Sequence, residues 1–223
     1  RISLSCDIPV PANFAETHSD PVHGKTKICY GRYALETLEE LPPHPLLSSP
    51  ILHGEKRIRG AGHKPSGAPG LPHLTFAEVE PDPSLETVMR GTLDFIRSKA
   101  DLIVALGGGS AIDTAKAIAY GLAEPEKDVW ELYEHTRTAR KCLPVASILT
   151  IAAAGSETSN SSVITRVDTH QKRAYNDDIS RPKFAIMDPE LTKTLPDYQT
   201  ESGCADIMIT PWSAISPMAA IWS

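Results

Sequence analysis

The sequence predicts an α/β protein built on a doubly wound, largely parallel sheet, and three features lead there. Leu102 to Leu106 is an uninterrupted apolar run of strand length, the composition of a strand buried on both faces. Pro144 to Thr150 and Lys183 to Met187 read as further strands, with helical patterns between and before them. The first two runs each end in small residues, at Gly107-Gly108-Gly109 and at Ile151-Ala-Ala-Ala-Gly155. Ligands of open α/β sheets bind at such carboxyl ends.

Taken in order, Arg1 to Val22 has no period and reads as a tail, so that 1–24 is set apart from an α/β domain over 25–196. Lys25 to Tyr30 suits a short strand, and Ala34 to Leu41 a helical turn or two. Between Pro42 and Pro83 fall nine of the 19 prolines and five glycines, so residues 42–78 are expected to be irregular. Four histidines lie in that stretch, His44, His53, His63 and His73. Their spacing of nine or ten residues does not suit zinc, whose ligands usually come in pairs about two to five apart. They read as solvated loop side chains.

Asp82-Pro83 reads as an N-cap followed by the first helical position. Leu85, Val88, Met89, Thr92, Leu93, Phe95 and Ile96 form the apolar stripe of a covering helix. The strand at Leu102 follows it and ends at Gly107-Gly108-Gly109-Ser110. Three glycines permit positive φ and a close ligand approach, Ser110-x-x-Asp113 has the spacing of a capping box, and Ala111, Ala115, Ile118, Ala119 and Leu122 share one helical face. Free amides and a helix dipole meeting at one point attract phosphate. From these residues alone, an ordinary glycine-rich turn explains the corner equally well, and it is not the G-x-G-x-x-G fingerprint.

Trp130 and Tyr133 read as packing anchors in a polar stretch. Val163 to Val167 and Arg173 to Tyr175 suit a hairpin with Lys172 at or near its tip. Asp188-Pro189-Glu190 starts a helix that Leu195-Pro196 ends. Beyond it, Ser202 to Ile209 could open another helix, which Pro211 and Pro217 are expected to interrupt.

With 22 Lys+Arg against 28 Asp+Glu the net charge is −6 and no basic run stands out, which argues against nucleic acid or an anionic membrane as partner. A small molecule is the expected ligand. No stretch approaches the roughly 20 apolar residues needed to span a bilayer, and the first residues lack the order of a signal peptide, so a cytoplasmic location is expected. Cys6, Cys29, Cys142 and Cys204 are scattered without C-x-x-C spacing and read as reduced thiols.

Three segments in order, Ala105 to Lys116, Leu149 to Glu157 and Arg181 to Pro196, together resemble the iron-containing alcohol dehydrogenases, especially their butanol dehydrogenase-like branch. Val79 to Val88 is similar to the segment before that family's glycine corner. The resemblance implies a Rossmann-like N-terminal domain followed by an all-helical domain, of which 197–223 would be the start. It implies NADP or NAD as hydride carrier, an alcohol or aldehyde substrate, Fe2+ or Zn2+ as Lewis acid, and a homodimer. By the same resemblance Gly107, Gly108, Gly109 and Ser110 would hold the pyrophosphate and Asp113 would stand near the nicotinamide end. Thr150 and Lys172 would contact the cofactor, and Asp206 would be a metal ligand.

The chain also departs from the family. Thr210 stands where a histidine should follow Asp206 by one helical turn, and no histidine follows His170. Ile51-Leu52 leads into His53-Gly54-Glu55-Lys56-Arg57 in place of a second glycine turn, which leaves NAD against NADP open. Ala154 and Ser159 replace a threonine and an asparagine. The expectation is a truncated product with an impaired or dead metal site, whose strands at Leu102, Pro144 and Lys183 expose an apolar face.

Overall fold

The computed structural model describes residues 26–30, 46–49, 73–76, 78–96 and 102–219. Six strands form one parallel sheet: β1 (Lys27–Tyr30), β2 (Leu46–Ser49), β3 (His73–Thr75), β4 (Leu102–Gly107), β5 (Val145–Leu149) and β8 (Phe184–Met187), in the order β1-β8-β5-β4-β2-β3. Between them run α1 (Leu85–Phe95), α2 (Gly109–Ala123), the short α3 (Trp130–Tyr133) and an antiparallel hairpin of β6 (Ser161–Arg166) and β7 (Gln171–Asn176). The chain goes outward from β2 to β3 and then returns to lay β4 on the other side of β2. The direction of winding therefore reverses between β2 and β4, where open α/β sheets form their ligand crevice.

All six residues of β4 and all five of β5 are buried, as their apolar runs require of strands covered on both faces. Among the described residues the expected uncovered face at these strands is absent; the large exposed apolar side chains lie mostly on helical segments, with Val167 in the hairpin turn. On α1 the stripe divides, with Leu85, Val88 and Phe95 buried and Met89, Leu93 and Ile96 exposed. Trp130 and Tyr133 are core residues, stacked with ring centroids 5.9 Å apart.

Several expectations are corrected. The stretch over 42–78 contributes two sheet strands, because Leu46–Ser49 and His73–Thr75 find ladder partners that local composition does not reveal: Leu47 faces Ile103 on one side and Leu74 on the other. The cap of α1 is Ser84, whose hydroxyl accepts from Thr87 N at 3.2 Å, while Asp82 takes a left-handed φ of 60°. Asp82 and Pro83 cannot begin the helix because Pro83 is engaged with the hairpin, its carbonyl accepting from Thr165 N at 2.8 Å. Asp188 does cap its 3-10 turn, through Glu190 N. The last helix, α4 (Asp197–Ala219), starts before Ser202, and its backbone continues through Pro211 and Pro217, each of which removes one amide donor. Ala34 to Leu41, the tail, and His44, His53 and His63 lie outside the described residues. No described helix is long and apolar enough to cross a membrane.

The helix pair α1 and α2 approaches closely through two glycines. A Cβ on Gly91 would meet Ile118 Cδ1 at 2.5 Å, and one on Gly121 would meet Thr92 Oγ1 at 2.7 Å. Replacing Gly91 with valine should therefore cost about 1–3 kcal/mol through overpacking, despite the better helix propensity of the new residue. Urea denaturation of the G91V chain measures it; an unchanged midpoint would show that α1 can move away freely.

Candidate functional site

The glycine corner follows the carboxyl end of β4 at the reversal point. Its geometry differs from the capping box expected of Ser110 and Asp113. The N-cap of α2 is Gly108, with extended backbone and no side-chain cap, and the helix begins at Gly109. Ser110 lies in the first turn, its carbonyl accepting from Thr114 Oγ1 at 2.8 Å. The amides of that turn are consequently free of any side-chain acceptor from the cap, at the positive end of a 15-residue helix.

None of Gly107, Gly108 and Gly109 uses a positive φ; among the described glycines Gly155 alone does, at 74°. What the corner needs is space. A Cβ on Gly108 would meet Ile151 Cγ2 at 2.5 Å, so the turn after β5 sits directly on the corner. A Cβ on Gly109 would have nothing within 4 Å, leaving its side of the corner open. Thr150 ties the two turns together, its amide donating to the Gly107 carbonyl at 3.2 Å. Uncapped amides with open space in front of them suit a diphosphate.

The profile of the iron-containing alcohol dehydrogenases matches residues 25–189. The chain belongs to this family. It is 43% identical over 130 residues to the NADH-dependent butanol dehydrogenase A of Clostridium acetobutylicum, an alignment covering 58% of this chain and 33% of the relative. The crystal structure of Escherichia coli K-12 YqhD superimposes with a TM-score of 0.75 at 31% identity, covering 88% of this chain and 50% of that one. The NADH-dependent butanol dehydrogenase A of Thermotoga maritima gives a TM-score of 0.71 at 29% identity, with coverages of 87% and 48%. The chain thus spans between a third and a half of the length of these relatives.

Within this member of the iron-containing alcohol dehydrogenases, Asp113 faces inward. Its carboxylate accepts from the Ser156 hydroxyl and, at 3.1 Å, from Val163 N, and its carbonyl accepts from Ser162 Oγ at 2.9 Å. Burial raises its pKa, opposed by the Ser156 hydrogen bond and by the positive charge of Lys116. Lys172 stands in β7 opposite Thr165, one pair in from the hairpin end. It is exposed, pairs with Asp82, and lies close enough for its charge to act on Asp113. The corner, Thr150 and Asp113 are thus neighbours linked through α2 and the turn after β5, with Lys172 close by on the hairpin.

Sequence reasoning assigned no role to Lys116. Its side chain is fully buried, and its ammonium donates to the carbonyls of Ser156, Ser159 and Ser161 at 2.8, 2.9 and 2.8 Å. Burial lowers its pKa to about 8, with Asp113 pulling in the opposite direction. The available signal was that Asp113 and Lys116, three residues apart, are the only charged residues of α2, in an otherwise small and apolar sequence.

Of the metal side of the family site, the resemblance places one residue, Asp206, in this chain. Asp206 is exposed on α4 beside the exposed Ile207, Met208 and Ile209, and among the described residues no group of three or more His, Cys, Asp or Glu could hold an ion. Thr210 follows in the same helix, and His73 lies in β3. Of the cysteines, Cys142 and Cys204 are free, and burial pushes the Cys142 thiol up to about 12.

Removing the ammonium in Lys116→Met strands three carbonyls, and should destabilise the fold by roughly 3 kcal/mol. The pH dependence has a definite sign. The folded pKa of about 8 lies below the reference value of 10.5, so between these values the unfolded chain holds a proton that the folded chain has lost. This group's contribution therefore makes stability rise with pH across that window and costs most below it. Denaturation midpoints of the native chain should climb relative to those of K116M between pH 8 and 10; parallel curves would show that Lys116 does not titrate there.

Proposed function

We propose that this chain is the dinucleotide-binding part of an NAD(P)H-linked alcohol or aldehyde dehydrogenase of the butanol type. The observation that carries the reading is the uncapped first turn of α2 with open space at Gly109, at the point where the sheet reverses its winding. The amides after Gly108 hold the diphosphate, with Gly107 and Thr150 fixing the relation of the two turns. A bound nicotinamide would supply the hydride, and the protein's part is orientation and exclusion of water.

Each remaining side chain has a definite task in this reading. Asp113 acts mainly by positioning, since its carboxylate holds Ser156 and Val163 in place on the nicotinamide side. Lys172 is free to leave its exposed pairing with Asp82 for an anionic ligand, because an ion pair at such exposure is worth only about 0–1 kcal/mol. The expected working context is a cytoplasmic homodimer acting on a small alcohol or aldehyde, without nucleic acid or membrane. A second reading is nucleotide binding without turnover, motivated by Thr210 in place of a histidine one helical turn after Asp206. Assaying butanal reduction with NADH or NADPH and added Fe2+ or Zn2+ separates the two: binding without turnover favours the second.

The corner itself is tested by Gly109→Asp. A carboxylate in the first helical turn favours the dipole by about 0.3–1 kcal/mol, and nothing obstructs it sterically. The same charge repels a diphosphate. The variant should melt at or above the native temperature yet bind NADH at least tenfold more weakly by fluorescence titration; unchanged affinity would remove the corner from the binding site.

A further inference from the structure

Lys116 has no place in the family contacts considered so far, and its surroundings give it one. The turn after β5 begins on the glycine corner, with Ile151 against Gly108, and ends at the first residue of β6. Nothing along it is a regular element. Gly155 carries a left-handed φ, and the turn's own bonds are few: Thr158 N and Ser159 N donate to the Gly155 carbonyl at 3.2 and 3.1 Å, and Ser161 N to Ser159 Oγ at 2.9 Å. The carbonyls of Ser156, Ser159 and Ser161 all converge on one ammonium from α2. Ser156 connects that ammonium to Asp113, taking a hydrogen bond from Lys116 on its carbonyl and giving one from its hydroxyl to the carboxylate. Among the described residues no ion pair joins Lys116 and Asp113 directly.

We propose that Lys116 is a positioning residue for the nucleotide: by gathering three carbonyls it fixes the turn over 155–161 against the glycine corner and so completes the wall on the nicotinamide side of the crevice. This role rests on the nucleotide reading above. The charged and titratable groups acting on the ammonium are Asp113 on its own helix, Glu157 in the clamped turn, Arg181 ahead of β8 and Cys142 ahead of β5. Cys142 stays a neutral thiol up to about pH 12, so it contributes no change at moderate alkalinity. An ammonium has three donors for the three carbonyls; a neutral amine has two and binds them more weakly. Loss of the proton therefore relieves the cost of a buried charge and loosens the turn at the same time. Fold stability and nucleotide affinity should move in opposite directions over one pH interval, which a lysine that merely filled the core would not produce.

The test has two independent readouts on the full chain. The first is hydrogen exchange at the amides of Thr158, Ser159 and Ser161, corrected for intrinsic rates. Their protection should fall about tenfold between pH 7 and 9.5 in the native chain and be low at both in K116M. The second is NADH fluorescence titration, in which native affinity should fall about fivefold over the same interval, whereas Lys116→Arg, charged throughout, should give a flat profile. Should K116R fail to fold, the native profile and the exchange data still decide. Flat exchange, or NADH binding that ignores pH while exchange steps, overturns the proposal. Absence of both NADH and NADPH binding at every pH, with the exchange step present, instead overturns the nucleotide reading and with it this role.

Discussion

The architecture of the crevice depends on one buried charge. An ammonium at the centre of α2 is a large electrostatic cost, and the fold offsets it by bringing three carbonyls from a loop that Arg181 and Asp177 also hold, through the carbonyls of Thr158 and Asn160. That exchange makes helix and loop one unit. The helix starts at the glycine corner and the loop starts at the end of the neighbouring strand, so the same contact also sets the distance between the two carboxyl ends. Removing the charge for a purely apolar core would free the three carbonyls that face α2 and leave the loop held from the β8 side alone.

A second layer of polar contacts extends this unit to the hairpin. Tyr133 is buried on α3, and its hydroxyl lies 2.8 Å from Ser162 Oγ. Because Ser162 already donates to the Asp113 carbonyl, Tyr133 is the donor of that bond. Thr165 N bonds the Pro83 carbonyl, so the hairpin is also attached to the entry of α1. Helix, loop, hairpin and the chain before α1 thus share one continuous hydrogen-bonded seam along the edge of the site.

Much of this was legible in the residues, for reasons that differ by element. The strands at Leu102, Pro144 and Lys183 were readable because burial on both faces demands apolar runs, whereas the glycines alone left the corner evenly divided between a phosphate site and an ordinary turn. The hairpin was visible through its strand composition, and Lys172 lies near its tip as expected, one pair in from the end. The strands at Leu46 and His73 were not readable, since their stability comes from ladders to distant partners in a proline-rich context. The capping box failed because the chain offered Asp113 better partners in Ser156 and Val163 than the helix end could. Lys116 was missed because the carbonyls that define it belong to residues 40 to 45 positions away.

The exposed residues of α4 have a geometric consequence. Ile207, Met208 and Ile209 are consecutive and each more than 60% exposed. Successive side chains on an α-helix point about 100° apart, so these three sweep roughly 200° of its circumference. A single flat neighbour laid along one side can shelter only part of that arc. Full dehydration of this segment requires company on several sides at once, an enclosure of rods around a central rod in place of a simple two-layer contact.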